Sequence, residues 1–239
     1  MRIMKTNWMK KNLQFALMAA MMLPSALVLN ACGDDDEDKP DSGEVDARIE
    51  KVVPNEYRKQ MEKYITIYDG VNPPNVEGVF IAESPILVYD SSGTYEPGKV
   101  FYDYYYKFSN QNSSKNTVDY KRTNEEGNDT ESSTGAFISG DGKNFTIFFN
   151  TTGSIMGISV KRALIVSGTM TDEGVRNMMW AFVMTEKGSD PDNTVMDVGE
   201  FRVVKDKDGL AENATWPLST RTPEFMGNPE LFSDISSGK

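Results

Sequence analysis

The chain has 239 residues, with 25 basic and 36 acidic side chains, no histidine and a single cysteine. The net charge of −11 argues against nucleic acid as a partner, because phosphate contacts need lysine and arginine. The lack of histidine excludes Ser–His and Cys–His catalysis and the common imidazole zinc sites. An enzyme would have to use carboxylates, lysine, tyrosine or a calcium or magnesium site. We expect a protein that is not an enzyme, with no cofactor and no metal.

Residues 1–31 have the pattern of a secretory signal peptide. Basic residues precede an apolar stretch, residues 15–29, which is the order found in such signals. The basic residues are Arg2, Lys5, Lys10 and Lys11. A membrane-spanning helix is the alternative, but it needs roughly 20 apolar residues. This stretch is shorter and contains Pro24.

The signal peptide ends in a short motif around the only cysteine. Residues 29–33 read Leu-Asn-Ala-Cys-Gly, which resembles the lipobox of bacterial lipoproteins. The resemblance implies cleavage before Cys32 and lipidation of that cysteine, so that the partner at this end is a membrane. Two or more acyl chains on one residue give stable anchoring.

An acidic segment follows Cys32. Residues 34–38 read Asp-Asp-Asp-Glu-Asp, and such a block of like charge is typical of a solvated, disordered segment. We predict a disordered tether over residues 32–49. The position of the acidic run resembles the surface-export signal of Bacteroidetes lipoproteins. That resemblance implies the cell-surface side of the outer membrane, with the periplasmic side as the alternative.

A short helix is predicted over residues 54–68. Proline suits the first helical turn, and four large side chains recur at helical spacing on one face. They are Tyr57, Met61, Tyr64 and Tyr68. This face is expected to pack on the main domain, with a ligand-facing aromatic row as the alternative.

The pattern changes to strands from residue 75 onward. The predicted strands are 76–82, 99–109, 116–123, 131–139, 144–150, 157–169, 175–186 and 198–205, with a further short one at 85–89. Short strands separated by turn residues favour a sandwich or barrel. We predict an all-β domain over residues 50–216, an eight-stranded up-and-down meander barrel with a short N-terminal helix. A two-sheet β-sandwich is the alternative, and residues 217–239 are expected to form a C-terminal tail.

The candidate ligand residues are aromatic. Tyr102, Tyr104 and Tyr106 share one face of their predicted strand with Phe108, and alternation predicts that this face is buried. Trp180 is predicted to lie across from them. Eight strands enclose a core just wide enough for side chains or one small ligand. These four side chains therefore either line a cavity or form packed core.

Three groups of acidic residues are candidate sites. Residues 206–209 with Glu212, and residues 190–193, resemble fragments of a calcium loop but lack the full ligand set. Both are predicted to be solvated turns. The carboxylates at 125–126, 129 and 131 fall in a predicted hairpin loop. Glycoside hydrolysis needs two carboxyls at a defined separation in a cleft, so that chemistry is not expected.

The helical turn leading into residues 76–80, followed by eight meander strands, resembles a lipocalin or the wider calycin class. In that comparison Gly78 and Phe80 take the Gly-x-Trp positions, with phenylalanine in place of tryptophan, and Arg202 takes the arginine that covers the ring. The chain is also similar to uncharacterised Bacteroides surface lipoproteins, and that similarity implies no activity. The segments that carry it are residues 68–78, 108–112 and 206–210.

Two functions from different classes remain open on this evidence. The first is a non-catalytic binding module for a small apolar molecule or a glycan. The second is an interaction protein, such as an adhesin, an inhibitor or a subunit of a surface complex, which would have a filled core. A cavity bordered by the tyrosine face favours the first, and an exposed apolar patch over a filled core favours the second.

Overall fold

The computed structural model describes residues 42–217, with side chains from residue 47 onward. The predicted signal peptide, Cys32, most of the tether and the C-terminal tail from residue 218 onward lie outside the described residues. Among the residues described, no helix has the length and apolar character needed to cross a membrane.

Two short helices precede the sheet, α1 at Ser42–Val52 and α2 at Asn55–Met61. The end of the predicted tether is therefore helical, not disordered. Ile49 and Val53 explain this correction, because they are four residues apart and both are buried. The predicted helix over 54–68 is too long and ends at Met61. Beyond it the chain extends, and the Tyr68 amide donates to Thr146 Oγ1 on the sheet at 2.7 Å.

Eleven strands make up the sheet in the described part of the chain. They are β1 at Val71–Asn72, β2 at Gly78–Ala82, β3 at Ile86–Asp90, β4 at Tyr104–Asn112, β5 at Thr117–Asn124, β6 at Asp129–Asp141, β7 at Asn144–Ile155, β8 at Ile158–Thr171, β9 at Gly174–Lys187, β10 at Phe201–Lys205 and β11 at Leu210–Asn213. Sequence analysis missed β1 and β11, which have two and four residues.

The strands form a closed ring. β4 to β9 pair in sequence order as antiparallel neighbours. β10 pairs with residues 179–183 of β9, and β11 pairs with residues 174–176 of the same edge. β3 pairs with β10, and β2 pairs with β11. We therefore count β2 and β3 as two segments of one strand of the ring, and β10 and β11 as two segments of another. The described sheet therefore has eight positions, which confirms the all-β meander with its N-terminal helix, although it is not a regular barrel.

Of three buried apolar clusters, the two larger ones hold the ring together. One fills much of the interior, with Phe108, Tyr120 and Phe149 among its largest side chains. The other lies between the helices and the outer face, where Ile49 and Met61 meet β7, β8 and β9. This cover explains why the 164–166 segment of β8 is apolar on both faces, with Leu164 and Val166 in the inner cluster and Ile165 in the outer one.

Candidate ligand cavity

A cavity of about 330 Å³ opens at one end of the ring. Its wall combines apolar and aromatic side chains with a few charged ones. The lining includes Tyr102, Tyr104, Arg122, Asp129, Met156, Arg162, Trp180, Phe182, Met184 and Val204. A cavity at the low end of the usual size range, with few convergent polar groups, is the common form of a small-molecule site.

The strand positions give the cavity a floor and a rim. Arg122, Arg162 and Trp180 lie inside β5, β8 and β9, and fully buried Tyr106 and Tyr120 lie below them. The rim comes from segments outside the strands. Tyr102 precedes β4, and Met156 is in the turn between β7 and β8. The buried charged groups are therefore at the inner end, and the mouth combines exposed apolar side chains with Glu126 of the β5–β6 turn.

Three charged side chains that line the cavity, Arg122, Asp129 and Arg162, form one network with Glu131, which does not itself line the cavity. Glu131 Oε2 lies 3.2 Å from Arg122 Nε, and Glu131 Oε1 lies 3.0 Å from Arg162 Nε. Arg122 Nη2 donates to Asp129 Oδ1, and Arg162 Nη2 is 3.8 Å from the same oxygen. Two positive and two negative groups balance, which is the condition under which charges are tolerated inside a protein.

The carboxylates of this network have further donors, whereas one arginine does not. Thr151 Oγ1 donates to Glu131 Oε1, and Tyr104 Oη donates to Asp129 Oδ2 at 2.9 Å. Arg162 Nη2 is buried and has no hydrogen-bond partner among the described residues. The Arg162 guanidinium is therefore a charged donor at the floor that still has an unused N–H group.

Tyr104 is the polar aromatic group of the wall. Burial is the main reason that the pKa of Tyr104 rises to about 12, and the nearby Asp129 carboxylate raises it further. The phenol therefore keeps its proton at neutral pH and acts as a donor. The Arg122 guanidinium lies over its ring, 4.3 Å from the centroid, so this side chain is positioned by two contacts.

The structure places the four predicted ligand residues differently. Tyr104 and Trp180 line the cavity. Tyr106 is fully buried core, with its ring centroid 5.2 Å from that of Trp180. Tyr102 is 74% exposed at the mouth, so its predicted burial is wrong. The reason is that β4 begins only at Tyr104, and the preceding segment bonds to β3 instead, for example from Gly98 N to Leu87 O at 2.8 Å.

Sequence analysis missed the charged floor. Asp129 and Glu131 are on β6, not in a hairpin loop as predicted, and they bind arginines. The alternation of side chains along the strands was the signal that could have revealed the two arginines. Arg162 shares a strand face with Val160 and Leu164, and Arg122 shares one with Tyr120. An arginine on an otherwise apolar face indicates a buried ionic partner, but not which residue provides it.

The two calcium-like segments are turns in which aspartates cap backbone amides. Asp190 accepts hydrogen bonds from the amides of Thr194 and Val195. Asp206 accepts from the amides of Gly209 and Leu210. The prediction of a solvated turn is wrong for both aspartates, because Asp206 is only 3% exposed and the Asp190 side chain only 1%. Within residues 42–217, no three cysteine or acidic side chains group in a way that could hold a metal ion.

A second, more open groove of about 900 Å³ runs along β5 to β8 and reaches Trp216 and Pro217. Its strand residues include Thr130, Ser132 and Thr152.

The arginine of the calycin comparison does not cover Phe80. Arg202 Nε is 3.1 Å from Asp90 Oδ2, and its guanidinium lies over Tyr95, 4.8 Å from the ring centroid. The ring of Phe80 contacts Phe108, at 6.0 Å between centroids. Comparison with protein-family models found no match, and comparisons with curated proteins and with solved structures found none either.

Proposed function

We propose that this chain is a lipoprotein anchored in the outer membrane through Cys32 and exposed at the cell surface, and that its β domain is a non-catalytic binding module. The ligand is a small apolar molecule or a glycan. The lipobox-like residues 29–33 and the acidic run after them support the anchor and its location.

The observation that carries the binding role is the cavity at the open end of the ring. The lower part of the interior is filled by large side chains, including Tyr106, Phe108 and Phe149. The space above Trp180 is bounded by Tyr104 and Phe182 and has a volume of about 330 Å³. Apolar walls with few polar groups suit a small ligand better than they suit a scaffold with a filled core.

A thermal-shift screen of the full-length chain against glycans and small lipids tests this proposal. A ligand at about 100 times its dissociation constant adds roughly 2.7 kcal/mol of stability. Val204 lines the cavity and is 3% exposed, so Val204→Phe fills the site and is expected to abolish the shift. Val198→Phe is the matched control, because Val198 is exposed and does not line the cavity.

A shift that survives Val204→Phe, or a flat response across a folded sample, would reject the cavity as the binding site. The second candidate function is then an interaction module. It is favoured by the exposed apolar rim, in which Tyr102 and Met156 are 74% and 64% exposed. In that case Tyr102→Ser would weaken binding of a protein partner and Val204→Phe would not.

A further inference from the structure

The charged floor of the cavity indicates the chemistry of a ligand more narrowly than the cavity volume does. Arg162 is 3% exposed, and its Nη2 atom is buried without a hydrogen-bond partner among the residues described. Its Nε atom is at ion-pair distance from Glu131, yet does not meet hydrogen-bond geometry. A guanidinium has five N–H donors in a planar fork that matches a carboxylate.

The acceptors around Arg162 already serve other groups. Glu131 accepts from Thr151 and Tyr120, and Asp129 accepts from Arg122 and Tyr104. A ligand that reaches the floor therefore meets a guanidinium whose Nη2 atom has only a 3.8 Å ion-pair contact with Asp129, and meets no carboxylate that lacks a donor. This favours an acceptor group on the ligand and disfavours a cation. A carboxylate is the acceptor that matches the guanidinium fork, because the two groups can form two parallel N–H···O bonds.

The wall and the rim describe the rest of the ligand. Phe182 lies beside the Arg162 guanidinium, with its ring centroid 5.1 Å from Cζ, and Met184 and Trp180 continue the apolar wall. Three exposed apolar side chains, Tyr95, Tyr102 and Met156, line the mouth. The buried charges of the cavity are thus at its inner end, and an apolar body would lie along the wall formed by Phe182, Met184 and Trp180.

We propose that the cavity binds a monocarboxylate with an apolar body, which enters with its carboxylate first and places it against Arg162. This inference rests on the proposed function of the cavity as a ligand site. An alkyl and an aryl acid share this chemistry, and the flat side chains of Trp180 and Phe182 accommodate either.

Calorimetric titration of the full-length chain with two matched pairs tests the proposal. The pairs are decanoate with decanol, and cinnamate with cinnamyl alcohol. We expect the acid of at least one pair to bind about tenfold more tightly than its alcohol, the ratio that corresponds to one charge-assisted hydrogen bond. The pair that shows the larger ratio identifies the alkyl or the aryl source.

Arg162→Gln is expected to reduce the acid-to-alcohol ratio to about one, because the amide retains hydrogen bonding without charge. Arg176→Gln is the control, since Arg176 pairs with Glu173 at the surface, with both side chains more than half exposed. If Arg162→Gln does not fold, the double variant Glu131→Gln, Arg162→Gln removes one charge of each sign and provides the same comparison.

The outcomes separate the two proposals. An alcohol that binds as tightly as its acid, or a ratio that persists without Arg162, overturns the carboxylate assignment and leaves the binding module intact. A second outcome also overturns only the carboxylate assignment. In it, neither pair binds, but a glycan or lipid from the thermal-shift screen does, and Val204→Phe abolishes that shift. No binding in any panel overturns both.

Discussion

Arg162 on β8 and Glu131 on β6 form an ion pair inside the ring, with 3.0 Å between Nε and Oε1 and no more than 3% exposure of either side chain. Their strands are not neighbours, because β7 lies between them. Thr151 on β7 completes the contact by donating to Glu131 Oε1. The charged floor therefore links three consecutive strands, and its integrity is coupled to the packing of the ring.

Glu131→Gln is expected to lower the free energy of unfolding by about 3–5 kcal/mol, because it leaves two buried arginines with one carboxylate. Denaturant unfolding of the full-length chain measures the change. Glu186→Gln is the control, since Glu186 pairs with Lys161 where both side chains are at least half exposed, and exposed pairs contribute about 1 kcal/mol or less. Equal effects of the two variants would contradict the buried network.

Tyr104→Phe and Tyr106→Phe remove the same atom in two different environments. The Tyr104 hydroxyl donates to Asp129 at 2.9 Å, so its loss is expected to cost about 1.5–3 kcal/mol of unfolding free energy. The Tyr106 hydroxyl is buried and has no hydrogen-bond partner within the described chain. Its removal is expected to leave stability unchanged or to raise it by up to about 1 kcal/mol.

Thermal or denaturant unfolding of both tyrosine variants decides this comparison. A larger loss for Tyr106→Phe than for Tyr104→Phe would show that the Tyr106 hydroxyl has a partner in solution. It would also remove Tyr104 from the set of side chains that hold the network in place.

Asp206→Asn is expected to change how stability depends on pH. Burial is the main reason that the pKa of Asp206 is raised from 3.8 to about 6, and Asp208 raises it further. The folded chain therefore binds this proton more tightly than the unfolded chain. The resulting stabilisation is complete below pH 3.8 and is lost as the pH rises through 6.

Because the asparagine oxygen can still accept from the amides of Gly209 and Leu210, Asp206→Asn should gain stability relative to the wild type between pH 4 and pH 7. Asp208→Asn is expected to change the pH dependence of stability in the opposite direction. The pKa of Asp208 is lowered, mainly by its hydrogen bond with Asp206, so its contribution is present at neutral pH and lost on acidification. If the unfolding free energies of both variants and the wild type change with pH in parallel, the pKa shifts of Asp206 and Asp208 are wrong.

Gly153→Ala is expected to destabilise the β6–β7 pairing near the charged floor. A Cβ at this position would lie 2.0 Å from the Thr130 carbonyl oxygen, so the backbone must shift. Overpacking of this kind costs typically 1–3 kcal/mol or more. At Gly142, φ is +62° and a Cβ would meet nothing within 4 Å, so Gly142→Ala carries only the conformational cost of about 1–2 kcal/mol.

Unfolding free energies test the difference between these two glycines. If Gly153→Ala is the milder change, the close approach of β6 and β7 at Thr130 is wrong. If Gly153→Ala lowers the unfolding free energy more than Gly142→Ala does, its ligand affinity should fall as well. The reason is that Asp129 and Glu131 flank Thr130 on the same strand.

Alternation along the chain predicted most of the strands, and the observed bounds of β5 and β10 differ from the prediction by up to three residues at either end. The errors lie where a tertiary contact overrides the local pattern. Tyr102 continues the alternation of Tyr104 and Tyr106, yet the segment before it pairs with β3 and leaves it exposed. Residues 42–49 are polar overall, yet Ile49 is buried against the sheet and α1 forms.

By itself, the sequence determined the all-β class, the order of the strands and the faces on which Tyr104, Tyr106 and Arg162 lie, because side-chain direction along a strand is local and has a period of two. Only the tertiary structure decided that β11 closes the ring between β2 and β9. It also decided that Glu131 pairs with Arg122 and Arg162, the two arginines at the floor of the cavity. These contacts join residues from different strands, and a periodic pattern specifies the face of a side chain but not the side chains it will meet there.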